Sequence, residues 1–193
     1  MAPLVSVLIG TVDGREKYLE QTIAAYHDLT PQHVELEVRV SNEGLTLGAA
    51  WNRLAADTVS PIVLLGPDDM APHPGWWQAG VQSLVRRRVP QPLCFRVSGE
   101  PVHAVHDTLG QGAQSTWARF FLLWRPWLKR VGPFLDASWF IDLDYSDRLT
   151  AAGHPVAVES GFRFTHLDAP RDWLTPEVHQ AEEQMYLRTK VTS

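Results

Sequence analysis

The stretch Ile62-Val-Leu-Leu-Gly-Pro-Asp-Asp-Met-Ala-Pro-His-Pro-Gly-Trp76 contains the pattern that decides the fold. Four apolar residues bounded by glycine and proline are typical of a short strand that is buried on both faces. Two adjacent carboxylates, Asp68 and Asp69, follow at the carboxyl end of this strand. Open α/β sheets bind their ligands outside that end of their strands. The sequence therefore predicts a ligand site built around an acid pair.

Two neighbouring carboxylates repel each other unless they share a cation or a proton. A divalent ion such as Mg²⁺ or Mn²⁺ is the economical partner, because such ions are held by one or two carboxylates together with substrate phosphates. The alternative is a solvated Asp-Asp turn that closes the strand, since aspartate is common in turns. The position of Asp68 and Asp69 along the chain does not distinguish the two.

Strands and helices alternate in the first third of the chain. The pattern predicts strands over 5–9, 36–40 and 62–65, separated by helices over about 15–26 and 47–56. Such alternation is typical of right-handed βαβ units and a parallel sheet. Beyond it we expect a helix over 75–87, strands near 93–97 and 120–124, and an irregular loop over 98–116. A helix over 142–152, short strands over 155–158 and 162–164, and a polar helix over 177–189 complete the prediction.

Length and composition indicate one globular domain. The 193 residues are 45% hydrophobic and 20% charged, which is ordinary for a soluble protein with a substantial core. The net charge of −5 argues against a broad surface for nucleic acid or anionic membrane. The chain shows neither a secretory signal pattern nor an apolar run long enough to span a membrane, so we expect a cytoplasmic protein. A single cysteine, Cys94, excludes an intramolecular disulfide. The oligomeric state stays open.

The tryptophan content is high for a chain of this length. Most of these side chains are expected in the core, although flat indole rings also bind sugars and nucleotide bases. The excess is therefore a weak indication of a carbohydrate or nucleotide ligand. The eight residues are Trp51, Trp76, Trp77, Trp117, Trp124, Trp127, Trp139 and Trp173.

A second acidic cluster begins the helix predicted over 142–152. Asp142 and Asp144 lie in its first turn, where acids often only complement the helix dipole and cap free N–H groups. The functional alternative is a general base that removes a proton from an acceptor hydroxyl. His166 follows a late strand and is a candidate metal ligand through a ring nitrogen, although a lone histidine is more often structural. Asp147 and Arg148 are expected to form a surface pair.

Four motifs, taken in order, resemble those of family-2, GT-A type glycosyltransferases from Val5 to His166. Val5-Ser-Val-Leu-Ile-Gly-Thr11 is similar to the first strand of that family, and Gly48-Ala-Ala-Trp-Asn52 is similar to its Gly-x-x-x-Asn helix. Leu64-Leu-Gly-Pro-Asp-Asp69 resembles the Asp-x-Asp loop. The segment from Val131 through Asp142 to Gly153 resembles the Gly-x-Phe-Asp … Glu-Asp … Arg … Ala-Gly region.

The resemblance implies a GT-A-like α/β fold, with a mixed, mainly parallel sheet flanked by helices in a single domain. A nucleotide-sugar half over about 1–97, an acceptor half over about 98–175 and a terminal helix over 176–193 would divide it. The implied reaction is an inverting, Mn²⁺- or Mg²⁺-assisted transfer of a hexosyl or related group from a nucleotide-diphosphate sugar to a hydroxyl. The implied roles are metal ligation by Asp69 and His166, base catalysis by Asp142, and nucleotide contact by Thr11, Asp13, Asn42, Asn52 and Asp68.

Three residues depart from the family pattern, and they keep other functions open. Pro67 replaces the first acid of Asp-x-Asp, Ile141 replaces the Glu of Glu-Asp, and Ser41 replaces an aspartate that usually contacts the base. The donor nucleotide is therefore open among uridine, thymidine and guanosine diphosphates. A glycan, a protein or a modified nucleic acid remains a possible acceptor. An inactive descendant that binds nucleotide sugar or glycan, and a sugar nucleotidyltransferase, are the alternatives.

Overall fold

The structure is a computed structural model that describes residues 3–86, 93–97, 121–167 and 175–191. Its first half is built on β1 (Val5–Gly10), which lies between β2 (Leu36–Ser41) and β3 (Ile62–Pro67) and is parallel to both. Helices α1 (Glu16–Leu29) and α2 (Leu47–Asp57) make the two connections. All of β1 and nearly all of β3 are buried, as apolar runs without alternation predict.

The second half adds shorter elements to the same sheet. In chain order these elements are β4 (Met70–Pro72), a π-helical turn (Trp77–Gln82), α3 (Ser83–Arg86), β5 (Leu93–Val97), β6 (Phe121–Trp124), α4 (Pro126–Val131), α5 (Ile141–Ala151), β7 (Ala157–His166) and α6 (Pro176–Val191). Within the described residues, seven strands form one sheet in the order β2-β1-β3-β6-β5-β7-β4. Strand β6 is antiparallel to β3 and β5, β5 is parallel to β7, and β4 is antiparallel to β7.

The predicted α/β class and mixed sheet are confirmed, and four details are corrected. Strand β4 and helix α4 were not predicted, because each is too short to show a period. The two short strands predicted over 155–158 and 162–164 are one strand, β7. Its central residues, Glu159-Ser-Gly161, interrupt the apolar pattern in the sequence. The helix expected over 75–87 is instead a π-helical turn followed by α3. The loop expected over 98–116 lies outside the described residues.

Aromatic side chains form much of the hydrophobic core. Trp51 and Trp76 are fully buried, and Trp77 is nearly so, which accounts for three of the eight tryptophans as core residues. Trp117 and Trp173 lie outside the described residues. The π-helical turn packs closely on β7, where a Cβ added to Gly80 would lie 2.4 Å from the ring of Phe162. In the part of the chain that the structure describes, every helix is too short or too polar to cross a membrane.

Candidate functional site

The acid pair at the end of β3 is buried. Asp68 is 3% exposed and Asp69 is fully inaccessible, so the alternative of a solvated turn is wrong. A single guanidinium nitrogen, Nη2 of Arg15, lies 2.6 Å from Oδ1 of Asp68 and 2.7 Å from Oδ2 of Asp69. Arg15 is itself only 6% exposed. The two carboxylates therefore share a cation, as their proximity requires, and this cation is supplied by the chain.

Two threonines hold Asp68 from the sides of β1 and α1. Thr11 Oγ1 donates a hydrogen bond of 2.6 Å to Asp68 Oδ2, and Thr22 Oγ1 donates one of 2.8 Å to the Asp68 carbonyl. Thr11 continues β1 by one residue, since its N–H donates to the Ser41 carbonyl at 3.0 Å. Both oxygens of the Asp68 carboxylate are thus occupied. The structure favours a role for Asp68 in organising this site over a role as a freely accessible ligand.

Burial raises the pKa of the Asp68 carboxyl above its ordinary value. The hydrogen bond from Thr11 and the charge of Arg15 oppose this effect, whereas the charge of Asp69 adds to it. Desolvation outweighs these opposing contacts because removing a carboxylate from water is costly even when it is partnered. The ionised form of Asp68 therefore depends on its partners.

His166 reaches the acid pair through strand pairing. Residue Met70 of β4 lies opposite His166 of β7, and the N–H of Leu167 donates to the Asp69 carbonyl at 2.8 Å. This register brings Nε2 of His166 to 3.3 Å from Oδ2 of Asp69. This geometry is compatible with the expectation from sequence that His166 and Asp69 bind the same metal ion.

The convergence of Asp69 and His166 fits a divalent ion only in part. The carboxylate oxygen of Asp69 is a suitable donor for Mn²⁺ or Mg²⁺, whereas the imidazole nitrogen of His166 suits transition-metal ions better than Mg²⁺. Across the described ranges, however, no group of three or more His, Cys, Asp or Glu side chains is arranged to hold a metal. The remaining ligands would have to come from water and from substrate phosphates, which is the usual arrangement for such ions.

Asp13 and Asn42 meet beyond the ends of neighbouring strands. Both are exposed, and the Asn42 amide donates to Asp13 Oδ1 at 3.0 Å. Together with Thr11 they surround the carboxyl ends of β1 and β2, where nucleotide contacts are expected. Ser41, which departs from the family pattern, is buried directly before Asn42.

Asn52 has a different environment from the one expected for a nucleotide contact. Its amide nitrogen donates to the Phe134 carbonyl at 2.9 Å, and its amide oxygen accepts from the Phe134 N–H at 2.8 Å. Both ends of the side chain are therefore used to hold the segment that precedes α5. We replace the nucleotide role for Asn52 with this structural one.

The first turn of α2 connects the two predicted halves of the site. On one side, Leu47 packs so closely on the end of β1 that a Cβ on Gly10 would lie 2.6 Å from it. On the other side, the N–H of Gly48 donates to the Ala137 carbonyl at 2.9 Å. These contacts place the segment that leads into α5 at the carboxyl edge of the parallel strands. Asp142 follows this segment, in the first turn of α5.

The backbone enters α5 through an unusual conformation. Phe140 has φ 62° and ψ −1°, in the left-handed region that bulky side chains rarely adopt. Its ring stacks on Tyr186 of α6 with centroids 5.6 Å apart and planes at 13°. Conformations of this kind persist where surrounding contacts over-determine them, and they cluster at functional sites. The half-buried Asp142 follows two residues later.

Two other acids of α5, Asp144 and Asp147, have basic partners. Asp144 is buried and accepts from Nε and Nη2 of Arg148 at 2.8 and 2.5 Å, while Arg148 Nη1 donates to the Val131 carbonyl at 3.0 Å. The expected pair of Asp147 with Arg148 is therefore wrong. Asp147 instead accepts from Tyr186 at 2.9 Å and pairs with Lys190. Arg148 joins α5 to α4, and Asp144 holds the guanidinium of Arg148 within α5, so Asp144 is a structural residue.

Helix α6 covers the start of α5. The Glu182 carboxylate accepts from the backbone N–H groups of Ser138 and Trp139 at 2.5–3.0 Å. The pKa of Tyr186 is raised, chiefly by burial and further by the charges of Asp144 and Asp142, so that tyrosine lies within electrostatic range of Asp142. Helix α6 thus holds the segment that leads into α5.

The sequence analysis missed one central residue, Arg15. A signal was available, because a cation immediately before a helix is opposed by the helix dipole. Arg15 directly precedes α1, so a dedicated anionic partner should have been expected. That partner is the acid pair more than fifty residues further along the chain.

The fold is similar to those of two other proteins of known structure. Glucosyl-3-phosphoglycerate synthase from Mycobacterium tuberculosis, in complex with Mn²⁺, UDP and phosphoglyceric acid, is 19% identical, with a TM-score of 0.69 over 96% of this chain and 78% of that one. The same enzyme in complex with Mg²⁺ and UDP is 18% identical, with a TM-score of 0.68 over 96% of this chain and 79% of that one. S. aureus TarS 1-349 is 14% identical, with a TM-score of 0.63 over 86% of this chain and 60% of that one.

These structural similarities confirm the predicted GT-A-like fold. No family model matches the sequence, and a comparison with curated proteins finds no match.

Proposed function

We propose that this chain is a glycosyltransferase that moves a sugar from a nucleotide-diphosphate donor to an acceptor hydroxyl. The observation that carries the proposal is the buried acid pair with His166, at the carboxyl edge of a GT-A-like sheet. The solved structures with this fold include complexes with UDP and either Mn²⁺ or Mg²⁺. Residues 1–97 would bind the donor, and residues 98–175 with the terminal helix 176–193 would form the acceptor side.

Each residue of the site has a role in the proposed reaction. Asp69 and His166 would hold the divalent ion, which when bound neutralises charge on the departing nucleotide diphosphate. Asp68, fixed by Thr11 and Arg15, orients Asp69 and keeps the site rigid before substrate binds. Asp13 and Asn42 would contact the nucleoside.

Asp142 would act as the general base. It would remove the acceptor hydroxyl proton as the oxygen attacks the anomeric carbon from the face opposite the diphosphate, so that the configuration of the sugar is inverted. A rigid base is valuable here because misplacement by an ångström can cost two orders of magnitude in rate. The Phe140–Tyr186 stack and the Glu182 contacts supply that rigidity.

Ligand-induced melting tests the donor site. The protein is heated with Mn²⁺ and each of UDP, TDP, GDP and CMP, and with the corresponding sugar nucleotides. Because a ligand that binds only the folded state stabilises it by mass action, one nucleotide class should raise the melting temperature by about 2–10 °C at saturating concentration. Asp69→Asn should abolish the metal-dependent part of this shift. If no nucleotide shifts a well-folded protein, the transferase proposal is wrong.

A second candidate is a protein that binds nucleotide sugar without turning it over. The Arg15 guanidinium favours it, since this cation already occupies the acid pair. Product formation distinguishes the two: a chain that binds a sugar nucleotide through Asp69 but neither hydrolyses nor transfers the sugar with any acceptor class is a binding protein.

A further inference from the structure

Arg15 has an environment that the proposed reaction does not by itself explain. One nitrogen of its guanidinium contacts both Asp68 and Asp69, at 2.6 and 2.7 Å, and all three side chains are at most 8% exposed. A buried charge is costly unless it is paired and hydrogen-bonded. The three groups therefore stabilise one another, and removal of the arginine would leave two buried carboxylates facing each other.

The backbone of Arg15 is ordered at the start of α1, and the two carboxylates hold its guanidinium. The Arg15 carbonyl accepts hydrogen bonds from Tyr18 and Leu19, at 3.0 and 3.1 Å, and so begins α1. The Arg15 side chain thus starts from the ordered end of a 14-residue helix. A guanidinium held in this way is a permanent part of the site.

Arg15 and His166 meet at the same atom. Oδ2 of Asp69 lies 2.7 Å from Arg15 Nη2 and 3.3 Å from His166 Nε2. A divalent ion held by Asp69 and His166 would therefore lie within a few ångströms of the guanidinium. Two cations at that separation in a poorly solvated site repel strongly. A nucleotide diphosphate brings negative charge that offsets this repulsion.

We propose that Arg15 is the internal counter-cation of the acid pair and that it keeps the affinity for divalent metal alone low, so that metal binds together with a diphosphate. The diphosphate part of this proposal rests on the proposed function. Arg15 is a positioning residue in this scheme: it holds Asp68 and Asp69 in place without metal and makes the loading of metal conditional on substrate.

Titration with Mn²⁺ alone tests the proposal without any nucleotide or activity. Free Mn²⁺ is measured by electron paramagnetic resonance for the wild type, for Arg15→Gln, and for Arg15→Gln combined with Asp69→Asn. Arg15→Gln should bind Mn²⁺ at least about tenfold more tightly than the wild type, because the competing charge is gone. The combined variant should lose that gain.

Arg53→Gln is the matched control, because Arg53 pairs with Glu43 at the exposed surface. It should leave the affinity for Mn²⁺ unchanged. If Arg15→Gln binds Mn²⁺ no more tightly than the wild type, the proposal is wrong.

The folding of the variant gives a second measurement. If Arg15→Gln is unfolded without metal, Mn²⁺ should restore a cooperative melting transition, because the ion replaces the missing cation. A variant that Mn²⁺ cannot refold would also overturn the proposal. Failure of the proposed function would appear elsewhere, as a wild type that no nucleotide stabilises in the presence of Mn²⁺.

Discussion

Replacing Gly48 with alanine should push α2 away from the segment that precedes α5 and destabilise the fold. A Cβ at this position would lie 1.8 Å from the Leu135 carbonyl oxygen and 3.2 Å from that of Ala137. Real Cβ atoms essentially never approach other heavy atoms within 3.0 Å, so helix and segment must move apart by at least about 1.2 Å. Because the contact is with backbone, rotation of a side chain cannot relieve it.

The expected cost follows from the hydrogen bonds that cross this contact. The Gly48 bond to Ala137 and the two bonds between Asn52 and Phe134 would be stretched or lost. Each is worth about 0.5–1.5 kcal/mol, and a buried group left unpaired costs more. Alanine recovers about 1 kcal/mol of helix propensity. The net loss of unfolding free energy should be about 2–4 kcal/mol, which lowers the melting temperature by roughly 4–16 °C.

Urea denaturation followed by circular dichroism measures this loss. Gly66→Ala is the matched control, since the nearest atom to its added Cβ is the Tyr26 hydroxyl oxygen at 4.0 Å. It should change the unfolding free energy by less than about 1 kcal/mol. A Gly48→Ala protein within about 0.5 kcal/mol of the wild type would refute the reasoning, because it would show that the segment before α5 is not held against α2.

Three further predictions concern the acceptor side and the core. Asp142→Asn should lower turnover by about 10²–10⁴-fold while the metal-dependent nucleotide shift in melting is retained; equal loss of both would contradict a base role. Glu182→Ala should release α6, seen as faster amide exchange over 176–191 and a loss of about 1–3 kcal/mol, whereas Glu183→Ala on the exposed side should change neither. Burial raises the pKa of Tyr26, Tyr145 and Tyr186 above 10, so the folded state retains protons that the unfolded state loses. Stability should therefore fall as the pH rises through 10, with these tyrosines ionising on unfolding; smooth ionisation of all four tyrosines near pH 10, followed at 295 nm in folded protein, would argue against this.

The first half of the fold was predictable because its signals are local. The apolar runs of β1 and β3 and the stripes of α1 and α2 are visible in windows of a few residues. Strand β4 has no such signal: three residues ending in Pro72 become a strand only through pairing with β7. Its absence from the prediction concealed the reason why His166 approaches Asp69.

The site was predictable in its acids and less so in their partners. Arg148 lies four residues after Asp144, so the predicted helix already places these two side chains on one face, and this spacing could have identified Asp144 as the structural member. Asn52 binds backbone groups 82 residues away, which any residue except proline would offer at position 134. Contacts of this kind leave no trace in residue identity, so sequence reasoning assigned Asn52 to the ligand by motif alone.

The spacing between β3 and β4 carries information of its own. β3 ends at Pro67 and β4 begins at Met70, so Asp68 and Asp69 are the whole connection between two strands with different neighbours. Because side chains alternate across a sheet, one residue more or fewer would turn β4 over or shift its register, and His166 would no longer face Asp69. The length of this connection is thus as informative about the site as its two acids. A related sequence that has both acids but a longer or shorter connection between β3 and β4 should not be expected to form the same site.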